Sequence, residues 1–356
     1  MLRKRPTGPG EPSPPRSGAV EGHTDGMGTA GPRMKAVVRD RYGPPAVMRI
    51  EEVAVPSPRA GHVLVRVVAT SVNLSDWEGL RGTPAYARFG GLFRPSRRIL
   101  GSDIAGVVES VGDGVTRFSP GDAVYGDILT MTGGFAEYAV APEHTLAHKP
   151  AALTFAQAST LPQSGAIAVQ AVARAKPGRR MLINGAGGGT GAFALQLAAA
   201  AGIHVTGVDN AEKLDFMRSL GANEVIDYRV DDFTRTGPYD LIIDLVARRS
   251  VFAYRGALAP GGTYLIVGGT MRALMRVMTV GALIGALTGR HLSVLAVKQG
   301  PEQFGQLAEC CADGSVRIHI DRVFGLDEVP EALSYVGTGQ ALGKVVVLID
   351  PAADSL

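Results

Sequence analysis

The chain carries Asn184-Gly185-Ala186-Gly187-Gly188-Gly189-Thr190-Gly191 between an apolar run and a segment of helix-forming residues. Glycines at this density remove the Cβ atoms that would hold an anion away from backbone N–H groups. A helix starting just beyond, near Ala192, offers its unpaired N–H groups and the positive end of its dipole. A lone turn of this kind can be an ordinary loop. Its place between strand and helix marks it as a phosphate cradle for a dinucleotide, with Gly188, Gly189, Thr190 and Gly191 as cofactor-binding positions. Asp209 closes the next apolar run, where a carboxylate would accept hydrogen bonds from ribose hydroxyls. Its charge, with that of Glu212, opposes a 2′-phosphate, so NADH is expected over NADPH. Lys213 leaves NADPH binding open, and a helix-capping role is the competing reading of Asp209.

The elements that would position these residues follow from the apolar pattern. Met181-Leu182-Ile183, the run from 203 to 208, Glu224-Val225-Ile226-Asp227, Leu241-Ile242-Ile243-Asp244-Leu245 and Thr263-Tyr264-Leu265-Ile266-Val267 alternate with helical segments. Strands apolar on both faces and joined by helices make an α/β, doubly wound parallel sheet. Upstream, from Met34 to about Phe155, short β-branched runs broken by Gly and Pro predict an irregular β-rich domain. Beyond residue 300 the pattern gives helix, strand, helix and a last strand over 344–349. Those elements either extend the sheet or return to the first domain, and the pattern alone leaves both open.

Composition excludes some functions. The chain has 356 residues, 46% apolar content and a net charge of +3, enough for two cores and no basis for a nucleic-acid partner. Residues 1–33 are rich in Gly, Pro and Ser and read as a disordered tail without the apolar stretch of a targeting peptide. The two cysteines, Cys310 and Cys311, are neighbours and suit a reducing cytoplasm. The apolar segment 277–287 falls short of the ~20 residues of a spanning helix. It is expected as a buried helix or pocket wall, with a membrane-surface role as the other reading.

The chain resembles the medium-chain dehydrogenase/reductase superfamily, and within it the quinone oxidoreductase-like branch. The likeness runs from Met34 to Ile349. It is carried by Asn73-Leu74-Ser75-Asp76-Trp77, Leu100-Gly101-Ser102-Asp103-Ile104-Ala105-Gly106, Gly121-Asp122-Ala123-Val124, Gly134-Phe135-Ala136-Glu137-Tyr138, the glycine turn and Gly343-Lys344-Val345-Val346. It implies a GroES-like (chaperonin-like) β-rich catalytic domain over 34–155 and 300–356 and a Rossmann domain over 156–299. A cleft between them and often a homodimer are implied as well.

Zinc-dependent alcohol dehydrogenases of this superfamily have a Cys near the position of Asn73 and a Gly-His-Glu triplet where this chain has Gly101-Ser102-Asp103. No zinc or other metal site is therefore expected. Without a Lewis acid to stabilise an alkoxide, alcohol oxidation lacks its electrophile. A quinone or α,β-unsaturated carbonyl avoids this, because its reduced anion is delocalised. The resemblance implies NAD(P)H-dependent reduction of a small hydrophobic quinone or enone, with the apolar residues 271–295 shaping the pocket. It places Asn73 beside the nicotinamide as a catalytic group, or alternatively as a loop stabiliser. Tyr86 is the proton donor or oxyanion partner in this reading, or else a packing residue. Asp76 is expected to hold the loop. Ser164 lines the nicotinamide side, Val246, Gly268 and Gly269 follow sheet strands along the bound dinucleotide, and Lys344 faces the cleft. A zinc-free alcohol dehydrogenase or aldehyde reductase, and a dinucleotide-binding protein with little catalysis, are the alternative functions.

Overall fold

Runs of β-branched residues flanked by Gly, Pro and Asp form strands that sort into three sheets. The computed structural model describes residues 31–88 and 91–355. The tail expected over 1–33 thus lies, up to residue 30, outside the described residues. β1 (Arg33–Val38) and β2 (Arg49–Ala54) form an antiparallel pair. β3 (His62–Val72), β4 (Asp103–Val111), β5 (Ala123–Asp127), β6 (Tyr138–Pro142) and β7 (Leu146–His148) build an antiparallel sheet in which β3 pairs with both β4 and β6.

β8 (Arg180–Asn184), β9 (His204–Asp209), β10 (Glu224–Asp227), β11 (Tyr239–Asp244), β12 (Leu258–Ile266) and β13 (His291–Val294) then form a six-stranded sheet in the order β10-β9-β8-β11-β12-β13. Every pairing in it is parallel. The order reverses between β8 and β11, and a crevice opens there at the strand carboxyl ends. The apolar-on-both-faces pattern has its cause in the packing: Met181, Leu182 and Ile183 of β8 are wholly buried between helical layers.

β14 (Ile320–Gly325) and β15 (Lys344–Leu348) leave this sheet and extend the other one, β15 pairing antiparallel with β3. Before that return, the segment around helix Gly305–Ala312 packs on the doubly wound side. A Cβ on Gly165 of helix Pro162–Val172 would lie 2.7 Å from Leu307, and Gln196 of helix Gly189–Ala200 bonds both the carbonyl and the N–H of Arg317.

The apolar segment near 280 departs from expectation. Residues 271–288 form one continuous helical run of mean hydropathy 1.3, by length and composition enough to cross a membrane. Val277, Gly281 and Ile284 are buried, with a Gly281 Cβ position 3.1 Å from Leu292 of β13. Met278, Leu283 and Leu287 are 63%, 60% and 75% exposed. It is a surface helix with one buried edge, neither a core helix nor a pocket wall.

Candidate active site

The residues of the glycine turn explain its shape. Gly185 takes a left-handed φ of 89°, a conformation that penalises a side chain. Gly191 lets helix Gly189–Ala200 close on the strand, since a Cβ there would stand 2.5 Å from the Ala186 Cα and the Gly185 carbonyl oxygen. That helix begins without a side-chain cap, so its first N–H groups are left for an anion. Asp209, at the end of β9, accepts from the Gly187 N–H at 3.0 Å and from its neighbour Asn210 at 2.9 Å. The buried Lys213 brings its Nζ to 3.6 Å from the same carboxylate.

On the far side, Gly343 N–H donates to the Gly187 carbonyl at 2.9 Å, which ties the approach to β15 onto the turn. The Lys344 stem lies over Gly189, its Cδ 2.6 Å from where a Cβ would be. Its ammonium donates to Asn73 Oδ1 at 2.7 Å and Ser164 Oγ at 3.0 Å. The Asn73 amide donates to Ser102 Oγ at 3.1 Å and Asp103 Oδ2 at 2.8 Å, and these partners fix which amide atom is oxygen. Asp76 accepts from the Asn73 N–H at 2.9 Å, from Ser102 Oγ at 3.1 Å and from the Gly101 N–H at 3.3 Å. It holds the loop, as expected of it.

This network is buried and carries more carboxylates than cations. Burial pushes Asp76 up to about 7 against the N–H of Asn73, with Asp103 adding repulsion. Burial also raises Asp103, opposed by Lys344, Asn73, Ser71 and Gln163, and lifts Asp127 to about 7. It lowers Lys344, opposed by Asp103 and Asp76. Asp103 and Lys344 stand 4.0 Å apart, and for both the loss of hydration outweighs their attraction.

A cavity of about 630 Å³ joins the two halves. It runs from the turn, at Gly185, Gly188, Gly189 and Thr190, past Asp209 and Lys213 to Asn73, Ser164 and Lys344. The donor set fits a dinucleotide. Two side-chain atoms of lining residues, Gln163 Nε2 and Asn210 Oδ1, are buried with no partner, the mark of groups awaiting a polar ligand. The residues that would hold it are those of the turn, Asp209, Asn210, Lys213 and Gln163.

Residues 59–151 match the alcohol dehydrogenase GroES-like domain, and residues 220–347 match a family described as zinc-binding dehydrogenase. The chain is 32% identical over 334 residues to the chloroplastic quinone-oxidoreductase QR1 of Triphysaria versicolor, covering 89% of this chain and 99% of that protein. It belongs to the quinone oxidoreductase branch of the medium-chain dehydrogenase/reductase superfamily. The 2-methylene-furan-3-one reductase of Solanum lycopersicum is 31% identical over 333 residues, covering 88% of this chain and 79% of that one. The quinone oxidoreductase of Coxiella burnetii superposes with a TM-score of 0.80 at 30% identity, over 89% of this chain and all of that one. The fold is thus a GroES-like β domain with a Rossmann sheet, and the chain is an oxidoreductase of the nicotinamide dinucleotide class.

Within this family frame the structure sorts the residues named from sequence. Asn73, Ser164, Gly188, Gly189, Thr190, Asp209, Lys213, Val246, Gly268 and Lys344 line the cavity, whereas Gly191, Gly269 and Tyr86 do not. Gly191 serves helix–strand packing, as its contacts show. Asn73 has both amide hydrogens and its oxygen engaged by protein groups, which suits the loop-stabilising reading over direct catalysis. The Tyr86 O–H donates to Glu78 at 3.0 Å, and burial with that carboxylate raises its pKa. A hydroxyl so held is a poor proton donor. None of the lining residues comes from 271–295, which corrects the expectation that this segment shapes the pocket.

Gln163 and Asn210 were not singled out from sequence, and neither was the cationic group Arg229, Arg248 and Arg249 on the cavity wall. The arginines follow β10 and β11, and their position after strand ends is the one sequence signal that would have found them.

Proposed function

We propose that this chain reduces a quinone or an α,β-unsaturated carbonyl at the expense of NADH or NADPH, without zinc. The observation that carries this is the filling of the site's inner end. Asn73 donates to Ser102 and Asp103 and accepts from Lys344, and Asp76 accepts from Asn73 and Ser102, so the positions where zinc enzymes of the superfamily carry Cys, His and Glu hold a closed polar network instead. Among the described residues no three His, Cys, Asp or Glu side chains converge as a metal would need. A conjugated acceptor suits such a site because it stabilises its own reduced anion. The names of the two curated relatives, a quinone oxidoreductase and a furanone reductase, point the same way.

The bound dihydronicotinamide would supply hydride. The protein's part is to bind, orient and keep water away. The turn N–H groups would meet the pyrophosphate, Gln163 and Asn210 offer unpaired polar atoms, and Ser164 with Lys344 closes the inner end. Asp209 favours a ribose with free hydroxyls, while Lys213, Arg229 and Arg249 would meet a 2′-phosphate. Both dinucleotides are expected to bind, NADH by the acid and NADPH by the cations.

The helix 271–288 is taken as a surface helix beside the edge strand β13, where a second copy would cover Met278, Leu283 and Leu287 in a homodimer. Cytoplasmic residence fits the free thiols of Cys310 and Cys311. The test of function is oxidation of NADH and NADPH, followed at their absorbance band, with quinones, enones, aldehydes and no acceptor. Turnover confined to aldehydes would favour the zinc-free alcohol dehydrogenase reading, and dinucleotide binding with no turnover would favour a non-catalytic one.

A further inference from the structure

Among the described residues two buried lysines line the cavity, Lys213 at the Asp209 end and Lys344 at the inner end. Lys344 is 3% exposed and sits between the glycine turn and the Asn73 loop. An ammonium has three N–H donors. One goes to Asn73 Oδ1 and one to Ser164 Oγ. The third has no protein acceptor within hydrogen-bonding distance among the described residues, since Asp103 Oδ2 is 4.0 Å away. The two bonds and the stem on Gly189 fix the head group, so the remaining donor is pre-positioned at the inner end of the dinucleotide cavity.

We propose that Lys344 is the electrophile and proton donor of the reduction, its third N–H meeting the oxygen of the acceptor. This rests on the quinone or enone reading above. Hydride, with its two electrons, forms a C–H bond in an enone or an O–H bond in a quinone, and the acceptor oxygen gains negative charge. The N–H bond of Lys344 then breaks and an O–H bond forms, giving enol or hydroquinone and a neutral amine. The enol becomes ketone, and water returns a proton to the amine. Overall the acceptor would gain a hydride from the bound dinucleotide and one proton, drawn from solvent by way of Lys344. Burial loosens the ammonium's hold on its proton, and Asp103 and Asp76 act in the opposite direction.

Two variants test this. Lys344→Met removes the ammonium. Lys344→Arg keeps a cation, and hence the network, but cannot give up a proton near neutrality. In both, turnover is expected to fall by about 100-fold or more, the range for a lost general acid. NADH affinity, read from its fluorescence without acceptor, is expected to change by less than about threefold. The alkaline limb of the wild-type kcat profile and its solvent isotope effect should disappear together in Lys344→Arg. If Lys344→Met fails to fold, Lys344→Arg alone decides. Turnover within about threefold of wild type in a folded variant, or a loss wholly accounted for by weaker NADH binding, overturns the proposal. A wild-type chain that binds NADH and NADPH yet reduces no quinone or enone overturns the functional reading itself, and the lysine's role with it.

Discussion

At the scale of single residues, the end of the cavity proposed to hold the dinucleotide's ribose is a balance of charge. Asp209 is bound by two N–H groups and faced by Lys213, so its negative charge is partly answered. Lys213→Ala should weaken NADPH by about 10-fold or more, the scale of a charged hydrogen bond, and NADH much less. Asp209→Asn should do the reverse, and fluorescence titration with each cofactor reads both. Asp76 gives a pH prediction. Its folded value of about 7 lies above the ordinary 3.8, so the folded state holds this proton more tightly than the unfolded chain. The stabilisation from that group is complete below pH ~4 and is lost as pH rises to ~7, up to about 4 kcal/mol. Asp76→Asn keeps the acceptor for the Asn73 N–H and removes the titration, so its melting midpoint should fall less between pH 5 and 8 than that of wild type. A slope unchanged by the substitution would contradict the assignment. Sequence showed Asp76 and Lys344 as residues near the site. It could not show that they share one buried network, because residues 271 positions apart, a helix cap and a strand, supply its bond from Lys344 to Asn73.

At the scale of elements, the parallel sheet was legible because strands buried on both faces must be continuously apolar, and Met181-Leu182-Ile183 is such a run. The final strands were ambiguous by pattern: β15 would suit either sheet by composition, and only its pairing with β3 places it. The run at 277–287 was misread because apolar content without a polar face does not say which side is covered. Here Val277, Gly281 and Ile284 supply the one buried edge. The contact between helix Gly189–Ala200 and β8 carries its own test. Gly191→Val would drive a side chain into the Ala186 and Gly185 backbone, costing about 1–3 kcal/mol or more and moving the helix N-terminus. Urea denaturation should show the loss and dinucleotide titration a weaker complex. A variant as stable and as tightly binding as wild type would mean the close approach is not needed.

At the scale of the whole molecule, two sheets of different character bring their ends to one cavity, and the chain crosses between them so that β15 delivers Lys344 beside the glycine turn. An exposed apolar helix on the edge of the parallel sheet completes the picture. The proposed homodimer predicts that wild type sediments as a dimer and that Leu283→Glu with Leu287→Glu sediments as a monomer; a monomeric wild type, or a double variant with the wild-type profile, would remove that face from the interface. In the proposed chemistry, reduction of a conjugated acceptor needs no metal. That claim is tested most directly by initial rates of NADH and NADPH oxidation with a quinone and an enone, before and after exhaustive chelation, beside a simple alcohol with NAD⁺. The account predicts turnover of quinone or enone that chelation leaves unchanged and no oxidation of the alcohol. Alcohol oxidation restored by added zinc, with quinone and enone inert, would contradict it.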